Sequence, residues 1–263
     1  MLWGLQVKFP TLCELGLFNL STWDRRGCIM KVTLLVLSLN EIDGMKVIMP
    51  RIDPAIFHQI IIVDGGSTDG TIEWAEANGY EVLLQKRKGL RHAYDEAIEL
   101  VTGDFVISFS PDGNSIPELL PALISKLAEG FDMVIVSRYL EDAKSEDDDL
   151  LTAFGNWFFT KTVNYLYKGN YTDVMVMYRG WRTSMFKELD LHCDSAFGIF
   201  ERFFQTKLCV CPLMSVRALK RKLDVTEIPG DEPPRIGGHR KLQIFRWGVS
   251  YYLTYFRELW FWK

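Results

Sequence analysis

Residues 32–39 form an almost unbroken apolar, β-branched run. A strand with apolar side chains at consecutive positions, not alternate ones, is covered on both faces, as strands inside a parallel sheet are. Ile60-Ile61-Ile62-Val63 repeats the pattern, and shorter runs follow at residues 81–84, 105–109 and 133–136. Helical periodicity fills the intervals at residues 71–78, 90–101 and 117–129, the last with Ser115 as N-cap and Pro117 in its first turn. Strand and helix in alternation predict an α/β fold with a mainly parallel sheet flanked by helices. Ligands of such sheets sit at the carboxyl ends of the strands, so the loops there carry the functional argument.

The chain has 263 residues, 48% of them hydrophobic, enough for one large core or two small ones. A net charge of −4 gives no overall basic field and argues against nucleic acid as a partner. The 5 cysteines are scattered, which points to a reducing compartment. Cys209-Val210-Cys211 with His192 and Cys193 fits no familiar zinc spacing and reads as plain thiols. Residues 1–29 have no clear period and no signal-peptide pattern, so they read as an extension ahead of a natural start at Met30. Residues 30–230 then read as the catalytic domain, and 231–263 as a Pro/Gly-rich basic loop followed by an aromatic helix. Residues 141–149 form an acidic stretch, either a solvated mobile loop or a lid. Residues 152–167 and 242–262 are helical and aromatic. The second has rows at Trp247, Tyr251, Tyr255, Leu259 and at Tyr252, Phe256, Trp260. Its charges make it too short to span a bilayer, and it suits either the membrane interface or a core face.

Two loops stand out. After the second strand comes Asp64-Gly65-Gly66-Ser67-Thr68-Asp69-Gly70-Thr71: a carboxylate at a strand end, glycines that let a ligand approach backbone, then a helix N-terminus. A Gly-rich turn capped by Asp69 or Thr71 is the plainer reading. After the fourth strand comes Ser110-Pro111-Asp112-Gly113-Asn114, whose oxygens suit a hard divalent cation and which is otherwise an ordinary turn.

Residues 64–71 resemble the DDGSTDGT signature of family 2 glycosyltransferases, with Gly65 where the second Asp is usual. Ser38-Leu39-Asn40-Glu41 is similar to the T-Y-N-E segment of that family's nucleotide pocket, with Leu37 in place of its proline, and lies at the family's separation. Ser110-Pro111-Asp112 falls where the family carries its Asp-x-Asp motif, with Ser110 for the first acid. The resemblance implies a GT-A, Rossmann-like fold. It implies that Ser38, Asn40, Glu41, Asp64, Gly66, Ser67 and Ser110 bind a nucleotide-diphosphate sugar. Asp112 then acts in catalysis and holds Mg²⁺ or Mn²⁺, with Asn114 assisting.

Within the family, Val134-Ile135-Val136-Ser137-Arg138-Tyr139, Gly155-Asn156, Thr172-Asp173 and Tyr178-Arg179 resemble segments of polyprenyl-phosphate sugar synthases of the dolichol-phosphate mannose type. So does the loop carrying Arg235, Arg240 and Lys241, whose guanidinium forks suit phosphate. This implies a catalytic Arg138, with Asp173, Arg179, Arg235, Arg240 and Lys241 at the diphosphate or the acceptor phosphate. The hexose would come from a donor of the GDP-mannose or UDP-glucose type. The acceptor would be a polyprenyl phosphate lipid at the cytoplasmic face of a membrane.

The close alternative is a sugar hydroxyl as acceptor, which needs a carboxylate base. Glu201, in a segment resembling the acceptor side of these enzymes, is the candidate. Residues 202–211 read as an insertion beside it. A catalytically silent nucleotide-sugar binder is a further alternative. A sugar-phosphate nucleotidyltransferase ranks low, because no Gly-rich basic loop follows the first strand.

Overall fold

The computed structural model describes residues 29–237 and 244–262. Strands β1 (Val32–Ser38), β2 (Gln59–Asp64), β3 (Glu81–Leu84), β4 (Phe105–Phe109), β5 (Met133–Ser137), β6 (Arg179–Arg182) and β7 (Val225–Pro229) form one sheet of order β3-β2-β1-β4-β6-β5-β7. Only β6 runs against its neighbours; the other pairings are parallel. Every residue of β1 is buried. Leu35 and Leu37 face one apolar cluster and Leu34 and Val36 the other, so the continuous run fills two cores at once.

The helices are α1 (Ile42–Ile48), α2 (Thr71–Ala77), α3 (Leu90–Ala97), α4 (Leu120–Ala128), α5 (Leu150–Tyr167), α6 (Met185–Glu188), α7 (Gly198–Phe204), α8 (Val210–Arg221) and α9 (Ile244–Phe261). The five strands expected from sequence are all present. Ser115 does not cap the helix that follows; a 3₁₀ turn, Pro117–Leu119, leads into α4 with Ile116 before it. α1, β6, α6, α7, α8 and β7 were not foreseen. β6 reads Arg-Gly-Trp-Arg, and its four residues have no β-branched member to announce a strand.

The chain runs from β1 through β2 to β3 on one side, then returns to β4 on the other side of β1. This reversal opens a crevice between the carboxyl ends of β1 and β4, the place where open α/β sheets bind ligands. α1 closes its floor. A Cβ on Gly44 would stand 2.2 Å from the carbonyl oxygen of Pro111, so only glycine lets α1 lie this close to the β4 loop.

α9 has one face in the core. Tyr251 and Tyr255 are in the core, while Val249, Leu253, Trp260 and Phe261 are exposed. α5 also exposes Leu150, Leu151, Phe154, Trp157 and Phe158, and Phe158 stacks on Tyr252 of α9 with ring centroids 5.3 Å apart. No helix among the described residues is long and apolar enough to cross a membrane. The expected extension at residues 1–29 lies almost wholly outside the described residues, as do Arg240 and Lys241.

Candidate active site

The loops after β1 and β2 are laced together. Asp64 is fully buried; its Oδ1 accepts from the N–H groups of Gly66 and Ser67 at 2.8 and 2.7 Å. Its Oδ2 accepts from the hydroxyls of Ser38 and Ser67 at 2.9 and 2.6 Å. A carboxylate has about four acceptor sites, so Asp64 is saturated within the chain. It shapes the loop. Asn40, in the left-handed region at φ 54°, accepts from Thr68 N–H and donates its own N–H to Ser67 Oγ. Asp69 accepts from Ile42 N–H and from both Thr71 N–H and its hydroxyl. Burial pushes the Asp69 carboxyl up, but these donors outweigh it and hold it below the ordinary range. Ser38, Asn40, Glu41, Asp64, Gly66 and Ser67 are thus brought together as the resemblance implied.

Arg235 crosses the crevice. Its Nη1 lies 2.9 and 3.0 Å from the oxygens of Glu41 at the β1 end, and its Nη2 lies 2.5 Å from Asp112 Oδ2 at the β4 end. Ile236 N–H donates to the Asp112 carbonyl at 2.6 Å, which fastens the late loop onto the β4 loop. Gly113, at φ +95°, leaves room for Ile236, which a Cβ would meet at 2.7 Å.

Ser110, Asp112, Asn114, Arg138 and Arg235 line one polar cavity of about 300 Å³, together with Asp147, Asp231 and Glu232. The residues present fit a hard divalent cation. Asp112 supplies a carboxylate. Asn114 Oδ1 is buried with no hydrogen-bond partner, an orphaned hard oxygen beside it. Four acids against two arginines also make the cavity a poor host for a diphosphate unless a further cation enters with it.

Arg138 is held on three sides. Asp173 takes its Nε at 2.6 Å and Nη2 at 3.2 Å, Glu232 takes Nη1 at 3.1 Å, and Asp148 stands at 3.5 Å. Burial opposes its charge, and these carboxylates more than offset it, keeping the guanidinium protonated. Asp173 is itself fully buried and lines neither cavity described here, so it positions Arg138 and does not touch a phosphate. Glu232 and Asp148 were missed in sequence. Asp148 belongs to the acidic stretch, which is folded onto the site: Ser145 pairs with Glu232 and Tyr139 donates to Asp148. Glu141, Asp142, Lys144, Glu146 and Asp149 of that stretch are exposed, as a solvated loop has them, and Ser145, Asp147 and Asp148 turn toward the site.

Two expected roles fail on geometry. Arg179 is fully buried in β6, and its guanidinium donates to the carbonyls of Val174, Val176 and Cys211 and to Ser215 Oγ. It organises the core and cannot reach a phosphate. Glu201 is buried against Arg91, with contacts at 3.3 and 3.0 Å, and accepts from Leu208 N–H at 3.0 Å. Burial raises its carboxyl, but Arg91 and that N–H outweigh it, leaving a weakened base. It lines neither of these cavities.

Residues 202–211 join α7 to α8. They carry the end of α7, a left-handed Gln205 and the start of α8, and they meet α9 where Trp247 donates to Thr206 and Cys209 N–H donates to Tyr251. Cys209 and Cys211 are free thiols, with the Cys211 sulfur 3.5 Å from the Tyr94 hydroxyl.

A second cavity of about 260 Å³ adjoins the first, sharing Arg138, Val176, Met177, Glu232 and Trp247. Its remaining wall is mostly apolar, from α5 and α9 and from Leu90, Cys209 and Pro212. Sequence reasoning named Arg138, Asn156, Trp247 and Tyr251 but did not foresee the cavity, because its wall is assembled from distant segments.

The profile of glycosyl transferase family 2 matches residues 54–190. The chain is 27% identical to glycosyltransferase AglJ of Haloferax volcanii over 86% of this chain and 71% of that protein. It is 26% identical to an undecaprenyl-phosphate mannosyltransferase of Micrococcus luteus, over 84% of this chain and 95% of that protein. Its fold is similar to that of glucosyl-3-phosphoglycerate synthase from Mycobacterium tuberculosis, solved with Mn²⁺, uridine diphosphate and phosphoglyceric acid. The TM-score is 0.59 at 16% identity, covering 86% of this chain and 78% of that one. That enzyme has the GT-A fold, which the strand order and the crevice at the β1–β4 reversal reproduce. The motifs at the strand ends, the sheet that presents them and the profile across half the chain agree: this protein belongs to glycosyl transferase family 2.

Proposed function

We propose that the protein transfers a hexose, with inversion, from a nucleotide-diphosphate sugar to a polyprenyl phosphate at a membrane surface. The observation that carries this reading is the junction of two unlike cavities at Arg138. One is lined by most of the charged groups, with Asp112, Asn114 and Arg235; the other is mainly apolar and is walled by α5 and α9. A lipid monophosphate has this polarity, with charge at one end and hydrocarbon behind it. The names of relatives such as the Micrococcus luteus undecaprenyl-phosphate mannosyltransferase support the same acceptor class.

The chemistry asks little of a base. A phosphate monoester, with a second pKa near ~6, is already largely ionised at neutral pH. One of its oxygens attacks the anomeric carbon, the bond from that carbon to the diphosphate breaks, and the electron pair leaves with the nucleoside diphosphate. Arg138, at the junction, orients the acceptor phosphate, and Asp173 and Glu232 fix its fork. Arg235, in moving from Glu41 and Asp112 toward the diphosphate, neutralises charge as it develops. Asp112 and Asn114 would hold Mg²⁺ or Mn²⁺, which when bound would help neutralise the charge of the leaving diphosphate. The buried, paired state of Glu201 disfavours the hydroxyl-acceptor alternative, which needs a free base.

The exposed apolar faces of α5 and α9 lie beside the second cavity and suit the interface of a bilayer. The test is incubation with labelled nucleotide sugars, Mn²⁺ and a short polyprenyl phosphate. Label should enter the lipid phase, and EDTA or Asp112→Ala should abolish it. Donor binding without any lipid product would overturn the acceptor assignment.

A further inference from the structure

Asp190, His192 and Cys193 lie in the turn that follows α6. Each offers one ligand atom, and these atoms lie within 4.8 Å of one another. His192 Nε2 stands 3.5 Å from Cys193 Sγ. Two ligands on one tetrahedral ion, with bonds of about 2.0 Å to nitrogen and about 2.3 Å to sulfur, stand ~3.5 Å apart. The turn is held from outside the cluster. Asp190 Oδ2 accepts from Trp262 Nε1 at 2.8 Å, and Arg217 Nη1 donates to the Leu189 and Asp190 carbonyls at 2.6 and 3.1 Å. Ligating carboxylates are oriented by outer partners of this kind. Arg217 is itself paired with Glu258 at 2.8 Å, which offsets the charge that would oppose a metal. Sequence grouped His192 and Cys193 with Cys209 and Cys211; the fold sets Asp190 beside them instead.

We infer that Asp190, His192 and Cys193 bind one Zn²⁺, at a site separate from the crevice. A sulfur, an imidazole nitrogen and a carboxylate suit a borderline-soft ion, whereas the oxygens of Asp112 and Asn114 suit a hard one. Asp190 and Cys193 also line a cavity of about 620 Å³, whose other walls include Phe200, Arg257 and Trp262. The cavity gives the ion a path of entry and leaves its fourth coordination position to water. None of the three ligands lines either cavity at the crevice. Burial pushes the Cys193 thiol up, so it gives its proton to solvent as the metal–sulfur bond forms. Because Asp190 also holds Trp262, the bound ion fastens the turn after α6 to the end of α9.

The test uses the full chain without an affinity tag, freed of metal and kept in excess Mg²⁺ so that the Asp112 oxygens are occupied. Calorimetry should show one Zn²⁺ bound per chain, and the thermal midpoint should rise with it. Co²⁺ in place of Zn²⁺ should show the charge-transfer absorption of a thiolate ligand. Losing even an outer partner of a ligand costs about 10–100-fold in affinity, so Cys193→Ser and His192→Ala should each weaken Zn²⁺ binding by at least ~tenfold. His192 is exposed, so His192→Ala should keep the midpoint of the metal-free protein.

A thiolate band that disappears in Cys193→Ser supports the site. A band that persists in that variant puts the ion on other thiols and overturns it. So does Zn²⁺ affinity unchanged in His192→Ala, or a wild-type chain that takes up no Zn²⁺. Asp112→Ala should leave the Co²⁺ band unaltered, because the two sites share no residue. Loss of the band in Asp112→Ala would overturn their separation. None of these readings depends on sugar transfer, so the site stands or falls apart from the acceptor assignment.

Discussion

Arg235 holds Glu41 and Asp112 with the groups that a diphosphate would need, so the resting contact and the working contact compete. Removing it should have two opposite effects. In Arg235→Gln, Mn²⁺ binding to the donor-free protein, read by electron paramagnetic resonance, should strengthen several-fold, because a neighbouring cation is gone. Transfer should weaken by about 10²-fold in kcat/KM, the usual scale for losing one charge-stabilising donor. Unchanged Mn²⁺ affinity would show that the guanidinium and the cation do not share Asp112.

Glu201 gives the complementary case. A lost general base costs about 10²–10⁴-fold, whereas Glu201→Gln should leave kcat within about tenfold and lower stability by about 1–3 kcal/mol through its weakened tie to Arg91. The Glu201 carboxyl lies below its ordinary value, so its contribution is complete above the unfolded pKa near ~4.3 and disappears as pH falls through the folded value. Urea unfolding at neutral and at acidic pH should show the gap between wild type and variant closing in acid. At this scale, Asp112, Arg138 and Arg235, all named from sequence, line one cavity. The sequence could not show that Arg179 and Glu201 are buried and paired, because Tyr178-Arg179 and Phe197-Gly198-Ile199-Phe200-Glu201 reveal side-chain type and not direction.

Among the elements, α8 and α9 are joined by a buried ionic cluster. Glu258, fully buried, takes Arg217 at 2.8 Å and Arg257 at 2.5 Å. Such a cluster adds little over an apolar contact, but breaking it strands a charge. Glu258→Ala should therefore cost about 3–5 kcal/mol, visible as a fall in the urea midpoint at an unchanged slope. A loss below about 1 kcal/mol would mean that water reaches Arg217. β1, β2 and β4 were legible in the sequence because burial on both faces leaves an uninterrupted apolar run. β6 was not, since its character comes from pairing: Gly180 gives Leu123 of α4 room, and its arginines are bound at either end. α1 has seven residues, too few for a helical period to show.

For the whole molecule, the arrangement that matters is a crevice at the sheet reversal, an apolar cavity beside it, and two helices whose outer aromatic faces are exposed. Neither the cavity nor the pairing of α5 with α9 could be read from sequence, because both arise where segments about a hundred residues apart meet. The exposed face should serve adsorption. Replacing Leu150, Phe154 and Trp157 together by serine should lower binding to anionic lipid vesicles by at least tenfold, since each large apolar side chain contributes roughly 1.5–3 kcal/mol when buried. Transfer to a water-soluble short-chain acceptor should be nearly unchanged. Equal vesicle binding would place the membrane contact elsewhere.

The central claim is that the acceptor nucleophile is a phosphate and needs no protein base. The most direct measurement offers the wild-type protein one labelled donor with a short polyprenyl phosphate and, separately, with the matching polyprenol. The expected result is metal-dependent transfer to the phosphate alone, at a rate that stays flat once the acceptor is fully ionised. Transfer to the free alcohol or to an added sugar hydroxyl, with the phosphate inert, would contradict the account.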